Sequence, residues 1–143
     1  MTGRLFGRLF AGQSATGLRH WWLWLAVGVA MTLVVVYLSL ADVHLPQVPS
    51  TIGDKINHLI AYGVLTGWFG QLYLQRQSRI VIAICLALLG VLMEVLQGIT
   101  SYRFFDLLDA CANILGVLIG LLALRFGADK ILLQFENRYL KVS

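Results

Sequence analysis

One apolar stretch of the chain opens with an ionisable run, D-K-I-N-H-L-I-A-Y, which holds Asp54, Lys55 and His58 and ends on the hydroxyl of Tyr62. On a helix, Asp54, His58 and Tyr62 at i, i+4 and i+8 stack along one side, with Lys55 beside His58 at i+3. Two later stretches carry groups of the same kind: Glu94 with Gln97, and Arg103 with Asp106, Asp109 and Asn113. Such groups are expensive to keep at membrane depth and usually face the interior of a helix bundle, so each stretch is a functional-site candidate.

The charge balance narrows the chemistry. Four carboxylates (Asp54, Glu94, Asp106, Asp109) face two fixed cations (Lys55, Arg103), a formal net of −2, or −1 with His58 protonated. Some of these groups must form ion pairs, and some carboxylate capacity is left over. Three uses of that surplus make physical sense. A carboxylate with a raised pKa can act as general acid with His58 as base. Asp106 and Asp109, as D-x-x-D, can hold Mg²⁺ or Ca²⁺ together with Glu94. In the third use every group satisfies another, and the network is architecture alone. One histidine and no cysteine near the cluster speak against zinc. D-x-x-D by itself is a weak motif, so the reading taken forward has no metal and no cofactor.

The elements that must position these residues are membrane helices. Of 143 residues, 59% are hydrophobic and 13% charged, and the mean hydropathy is +0.79; an ordinary soluble domain is roughly 25% charged. The length allows one domain. Despite the formal charge of +4, the basic residues form no stripe interleaved with aromatics, which excludes a nucleic-acid surface. The expected fold is all-α, a bundle of four transmembrane helices. The first runs from Trp22 to Leu40 and is entered through the interfacial indoles of Trp21, Trp22 and Trp24. The others run from about 54 to 74, 80 to 98 and 106 to 124. Ser39 and Ala41 form a small-x-small pair, but the apolar run before them exceeds a signal-peptide core, so the first helix is expected to be retained. Residues 41–53, with Pro46 and Pro49, form a loop, and residues 75–79 form a tight basic turn.

Three regions follow: a basic leader at 1–20, a membrane domain at 21–124, and a tail at 125–143. In the tail, Leu132, Phe135 and Tyr139 at i, i+3 and i+7 predict an amphipathic helix lying in the interface. Cys85 and Cys111 sit at depths too different for a disulfide and read as small apolar packers.

Four spans put both termini on one side, and the basic residues choose it. Nine lie in the leader, the 75–79 turn and the tail, while the opposite loops hold only Lys55 and Arg103. The positive-inside rule makes both termini cytoplasmic. The three polar stretches then converge at the extracytoplasmic ends of their helices, with Glu94 and Asp109 about 5–10 Å below the interface. A cluster at one depth only does not line an ion channel, which needs polar groups along its length. On the last span, Asp106, Asp109, Asn113, Gly116 and Gly120 form one seam whose G-x-x-x-G lets another helix approach closely.

Taken in order, D-K-x-x-H-x-x-x-Y, E-x-x-Q and R-x-x-D-x-x-D-x-x-x-N-x-x-G-x-x-x-G resemble the VanZ-like family of small bacterial membrane proteins over about residues 20 to 124. The matching positions are Asp54, Lys55, His58, Tyr62, Glu94, Gln97, Arg103, Asp106, Asp109, Asn113, Gly116 and Gly120. The resemblance implies a four-helix bundle, a multi-pass place in the bacterial cytoplasmic membrane, and a link to teicoplanin-type glycopeptide resistance. Two function classes follow. One is a non-catalytic envelope protein that binds a lipid, a lipoglycopeptide or a lipid-linked wall precursor, with Asp54, Lys55, His58, Tyr62, Glu94, Gln97, Arg103, Asp106, Asp109 and Asn113 as the binding set. The other is a small membrane enzyme acting on a lipid-linked phosphorylated substrate. There Glu94 or Asp109 serves as acid/base, His58 as its partner and Arg103 as anion clamp. The absence of a nucleophile elbow, a P-loop or a zinc signature favours the first.

Overall fold

The computed structural model describes residues 16–41, 51–100 and 105–140. These form five α-helices and no strand: α1 (Trp21–Leu40), α2 (Thr51–Leu72), α3 (Arg76–Ile99), α4 (Leu107–Arg125) and α5 (Ile131–Tyr139), with a 3₁₀ turn at Ala128–Lys130 before α5. The all-helical expectation is met. The leader as far as position 15, the loop with Pro46 and Pro49, Arg103 and Lys141 lie outside the described residues.

Three helices, α1, α3 and α4, are long and apolar enough to cross a membrane, with mean hydropathies of 2.3, 2.5 and 2.2. The expected fourth span, α2, is not among them. Its 22 residues include Asp54, Lys55, Asn57, His58, Thr66 and Gln71, which dilute its apolar character. Its length is still adequate, at about 33 Å for a rise of 1.5 Å per residue.

The basic turn is shorter than expected, because α3 already begins at Arg76. Arg79 explains the tightness. Its Nε donates to the carbonyls of Gly70 and Tyr73, both at 2.9 Å, and its Nη2 pairs with Asp129 at 3.2 Å. One side chain thus satisfies orphan carbonyls at the end of α2 and fastens the segment after α4 to them.

The tail forms the expected helix, and its three spaced apolar residues meet different surroundings. Leu132 packs with Leu18, Trp21 and Leu72, and its amide donates to Gln71 Oε1 at 2.8 Å. Phe135 and Tyr139 are 46% and 65% exposed, while Glu136 points inward. Glu136 accepts from the amides of Arg19 and His20 at 2.9 and 2.8 Å and pairs with the His20 ring at 2.6 Å. A carboxylate drawn to the amides leading into α1 turns α5 about its axis, which the spacing of the apolar residues alone does not reveal. Cys85 and Cys111 are both exposed on the outside of the bundle, so they are not packing residues.

Helices α2 and α4 make the closest pair. A Cβ on Gly116 would lie 2.3 Å from the Leu59 carbonyl oxygen, and one on Gly120 would lie 2.6 Å from that of Gly63. Only glycine allows backbone to meet backbone there. The buried apolar cluster Tyr62, Leu65, Ala83, Leu86 and Val117 lies between α2, α3 and α4. The register set by this seam decides which polar residues meet at the helix ends.

Candidate polar site at the helix ends

The site begins with the cap of α4. Asp106 has an extended backbone, and its carboxylate accepts from the Leu108 amide at 2.8 Å, an N-cap that satisfies one of the helix's free donors. Asp109 follows in the first turn, where the helix dipole favours negative charge. Lys55, reaching across from α2, donates to Asp106 Oδ2 at 2.8 Å and to Asp109 Oδ1 at 3.1 Å. The Lys55 ammonium, and after it the Leu108 amide, hold the Asp106 carboxyl below the usual carboxylate range.

One turn deeper, His58 meets Asn113. Asn113 Nδ2 donates to the Gly90 carbonyl at 3.3 Å, which leaves its Oδ1 to accept from His58 Nδ1 at 3.0 Å. The other ring nitrogen, Nε2, lies 3.9 Å from Asp109 Oδ2. Gly90 permits this arrangement, since a Cβ there would lie 2.8 Å from Asn113 Cβ.

Glu94 stands on the other side of His58, its Oε1 3.7 Å from Nδ1. It is 0% exposed, and among the described residues neither of its oxygens has a hydrogen-bond partner. The hydroxyl of Tyr62, also fully buried, is likewise unpartnered.

The structure thus brings together Lys55, His58, Glu94, Asp106, Asp109 and Asn113 from α2, α3 and α4. Tyr62 lies below them. Gln97 goes elsewhere: its Nε2 donates to the Ser39 carbonyl at 2.8 Å and ties α3 to the end of α1. Asp54 takes no part in these contacts, and Arg103 is outside the described residues. D-x-x-D does not form the oxygen pair that its spacing offered a cation, because Asp106 is committed to its cap and to Lys55. Instead His58, Glu94 and Asp109 each bring one ligand atom to within 4.8 Å of the others. Gly90 was the residue that motif reading missed. Its position four residues before Glu94, one turn along the same helix face, was the available signal.

A bundle with three membrane-length apolar helices and a buried charge cluster at one end defines a helical membrane protein. The VanZ/LLP1 family model matches residues 13–128, and the chain belongs to that family. An uncharacterized protein of Schizosaccharomyces pombe is 33% identical over 101 residues, which cover 68% of this chain and 60% of the relative. The chain therefore spans less than two thirds of that relative's length. No solved structure matches it.

Proposed function

We propose that this protein crosses its membrane four times, with α2 as the fourth span, and that the polar end of the bundle binds the head of a membrane ligand. That ligand is a lipid, a lipopeptide or a lipid-linked envelope precursor. The carrying observation is the way the site is graded in depth. Lys55 and Asp106 are partly exposed at the rim, and Asn113 and Glu94 are buried beneath them. A headgroup entering from the interface would meet exchangeable ion pairs first and fixed groups second.

The opposite end supports this one-sidedness, being closed by α5, the Arg79–Asp129 pair and a cluster of Trp21, Trp24, Trp68 and Phe135. The basic residues favour a cytoplasmic location for that closed end, which leaves the polar end extracytoplasmic. In a bacterium the membrane would be the cytoplasmic one, and glycopeptide resistance of the teicoplanin type would be one consequence of holding a wall precursor or the drug. The relative in a yeast favours a ligand class shared more widely, and a phospholipid-like headgroup is the simplest.

Mass spectrometry of lipids co-purified with the wild type and with Asp109→Asn tests the reading. One lipid class should be enriched with the wild type and lost from the variant. Identical lipid profiles for the two proteins would end it.

A second reading draws on Glu94 beside His58, a buried acid–base pair suited to a lipid-linked phosphorylated substrate. Conversion of the co-purified lipid by the wild type and not by Glu94→Gln would select it over binding alone.

A further inference from the structure

We infer that His58, Glu94 and Asp109 form a binding site for a divalent first-row transition-metal cation. The three residues come from α3 and from the two helices locked together by the glycine seam, and they contribute one imidazole nitrogen and two carboxylate oxygens. With one ligand atom of each within 4.8 Å of the others, a common centre lies no more than about 2.8 Å from all three. Metal–ligand distances to histidine nitrogen and carboxylate oxygen are about 2.0–2.2 Å, so side-chain adjustments of less than about 1 Å complete the coordination.

Proximity alone would leave this an acidic cluster. Glu94 makes it more. Its carboxylate is fully buried, and among the described residues neither oxygen has a hydrogen-bond partner. A buried polar group is normally satisfied, and each exception needs an explanation such as an ion. Among the described residues the fixed cation at this end is Lys55, and it is already shared by Asp106 and Asp109. It uses Asp109 Oδ1, while Oδ2 faces His58.

The histidine is prepared in the manner of a metal ligand. Asn113, fixed through its Nδ2 by the Gly90 carbonyl, offers its Oδ1 to the Nδ1 side of the ring at 3.0 Å, while Nε2 lies 3.9 Å from Asp109 Oδ2. Metal-binding histidines characteristically donate their other ring nitrogen to an oxygen acceptor in this way, which fixes tautomer and ring orientation. One imidazole with two carboxylates suits Mn²⁺, Fe²⁺ or Zn²⁺ better than Mg²⁺, which prefers oxygen and retains its waters. Three protein ligands leave positions open to water or to a ligand's own oxygen.

The full chain, purified in detergent and stripped of metal with a chelator, should be titrated with Mn²⁺ alone while the free-ion electron paramagnetic resonance signal is followed. One equivalent should bind to the wild type. Glu94→Gln and Asp109→Asn should each weaken binding by on the order of 100-fold, and Asp129→Asn, which removes a carboxylate at the opposite end of the bundle, should stay within about twofold of the wild type.

Zn²⁺ should displace the bound Mn²⁺ at far lower concentration than Mg²⁺ does. Thermal melting in the chelator identifies any variant that is simply misfolded, and Mn²⁺ should raise the melting temperature of the wild type and not of a folded Glu94→Gln. Three results would overturn the inference: no binding to the wild type at millimolar Mn²⁺, equal binding to Glu94→Gln, or displacement by Mg²⁺ as readily as by Zn²⁺. No lipid ligand enters this measurement, so its failure is separate from failure of the headgroup reading.

Discussion

The glycine seam between α2 and α4 can be tested with a single methyl group. In Gly116→Ala the added Cβ would sit 2.3 Å from the Leu59 carbonyl oxygen and 3.1 Å from the Gly63 nitrogen. Ordinary C···O contacts are about 3.3–3.6 Å, so the helices must part by roughly 1 Å at this level. Both neighbours are backbone and cannot rotate away. Overpacking of this kind costs about 1–3 kcal/mol. For a chain near this size each kcal/mol lowers Tm by roughly 2–4 °C, so a fall of several degrees is expected.

The separation also reaches the site. His58 on α2 and Asn113 on α4 lie one turn away, and their 3.0 Å hydrogen bond would stretch beyond bonding range. Gly67 is the control, since a Cβ there meets nothing within 4 Å. Gly67→Ala removes a helix-interior glycine without a clash and should stabilise by roughly 0.5–1 kcal/mol. Thermal unfolding of the detergent-purified proteins should therefore give shifts of opposite sign. If Gly116→Ala melts at or above the wild-type temperature, the close α2–α4 approach is wrong and the register of the site falls with it.

Lys55→Met should lower Tm because it strands Asp106 and Asp109 together. Lys55→Met with Asp109→Asn should recover part of the loss, whereas strictly additive losses would show that the pair is not coupled. At Glu136, burial works to raise the pKa, but the amides and ring of His20 and the amide of Arg19 outweigh it and hold the carboxyl below its ordinary value. A lowered folded pKa stabilises fully above the unfolded value and is lost as pH falls through the folded one. Docking of α5, followed by tryptophan fluorescence, should thus hold from neutral pH down to about 4.3 and fade below it; docking that persists once Glu136 is protonated would refute the latch. For topology, in a cysteine-free background, a cysteine at Ile99 should react with an impermeant thiol reagent from outside. One at Gln75 should react only after permeabilisation, and the reverse pattern would turn the bundle over.

The legible parts of the fold were those written in a period or a local rule. The apolar runs ending at Leu40 and near Gly98 needed no tertiary information, and the fourth run was placed to begin at Asp106, the residue that caps α4. The i, i+3, i+4 spacing placed Lys55 beside His58 on one helix and Asp109 with Asn113 on one seam of another, and the structure brings these four together. Less legible were contacts between residues far apart in the chain that follow no period. The Glu136 pairing with the start of α1 spans more than a hundred residues, and it overrode the apolar face that Leu132, Phe135 and Tyr139 defined. Gln97 looked like a companion of Glu94 because it is one turn away, yet its amide reaches the Ser39 carbonyl. The cysteines show the same limit from the other side, since a small apolar residue suits a lipid-facing surface as well as a core.

The two buried glutamates show how differently the ends of this bundle are built. Glu136 is 4% exposed and receives two backbone amides and a histidine ring. Its charge is satisfied, and its role is complete in the folded chain. Glu94 is 0% exposed and receives no hydrogen bond from the described residues. Desolvating an ion without a partner costs several kcal/mol, and an apolar residue of similar volume would remove that cost. The fold nevertheless surrounds Glu94 with groups held in fixed orientation: Asn113 pinned by Gly90, His58 oriented by Asn113, and Asp109 held on one oxygen by Lys55. Rigid neighbours around an unsatisfied centre are what preorganisation for an incoming group requires. A stability role would have been served better by the arrangement already present at Glu136, and this contrast supports the proposal that the Glu94 end is the binding end.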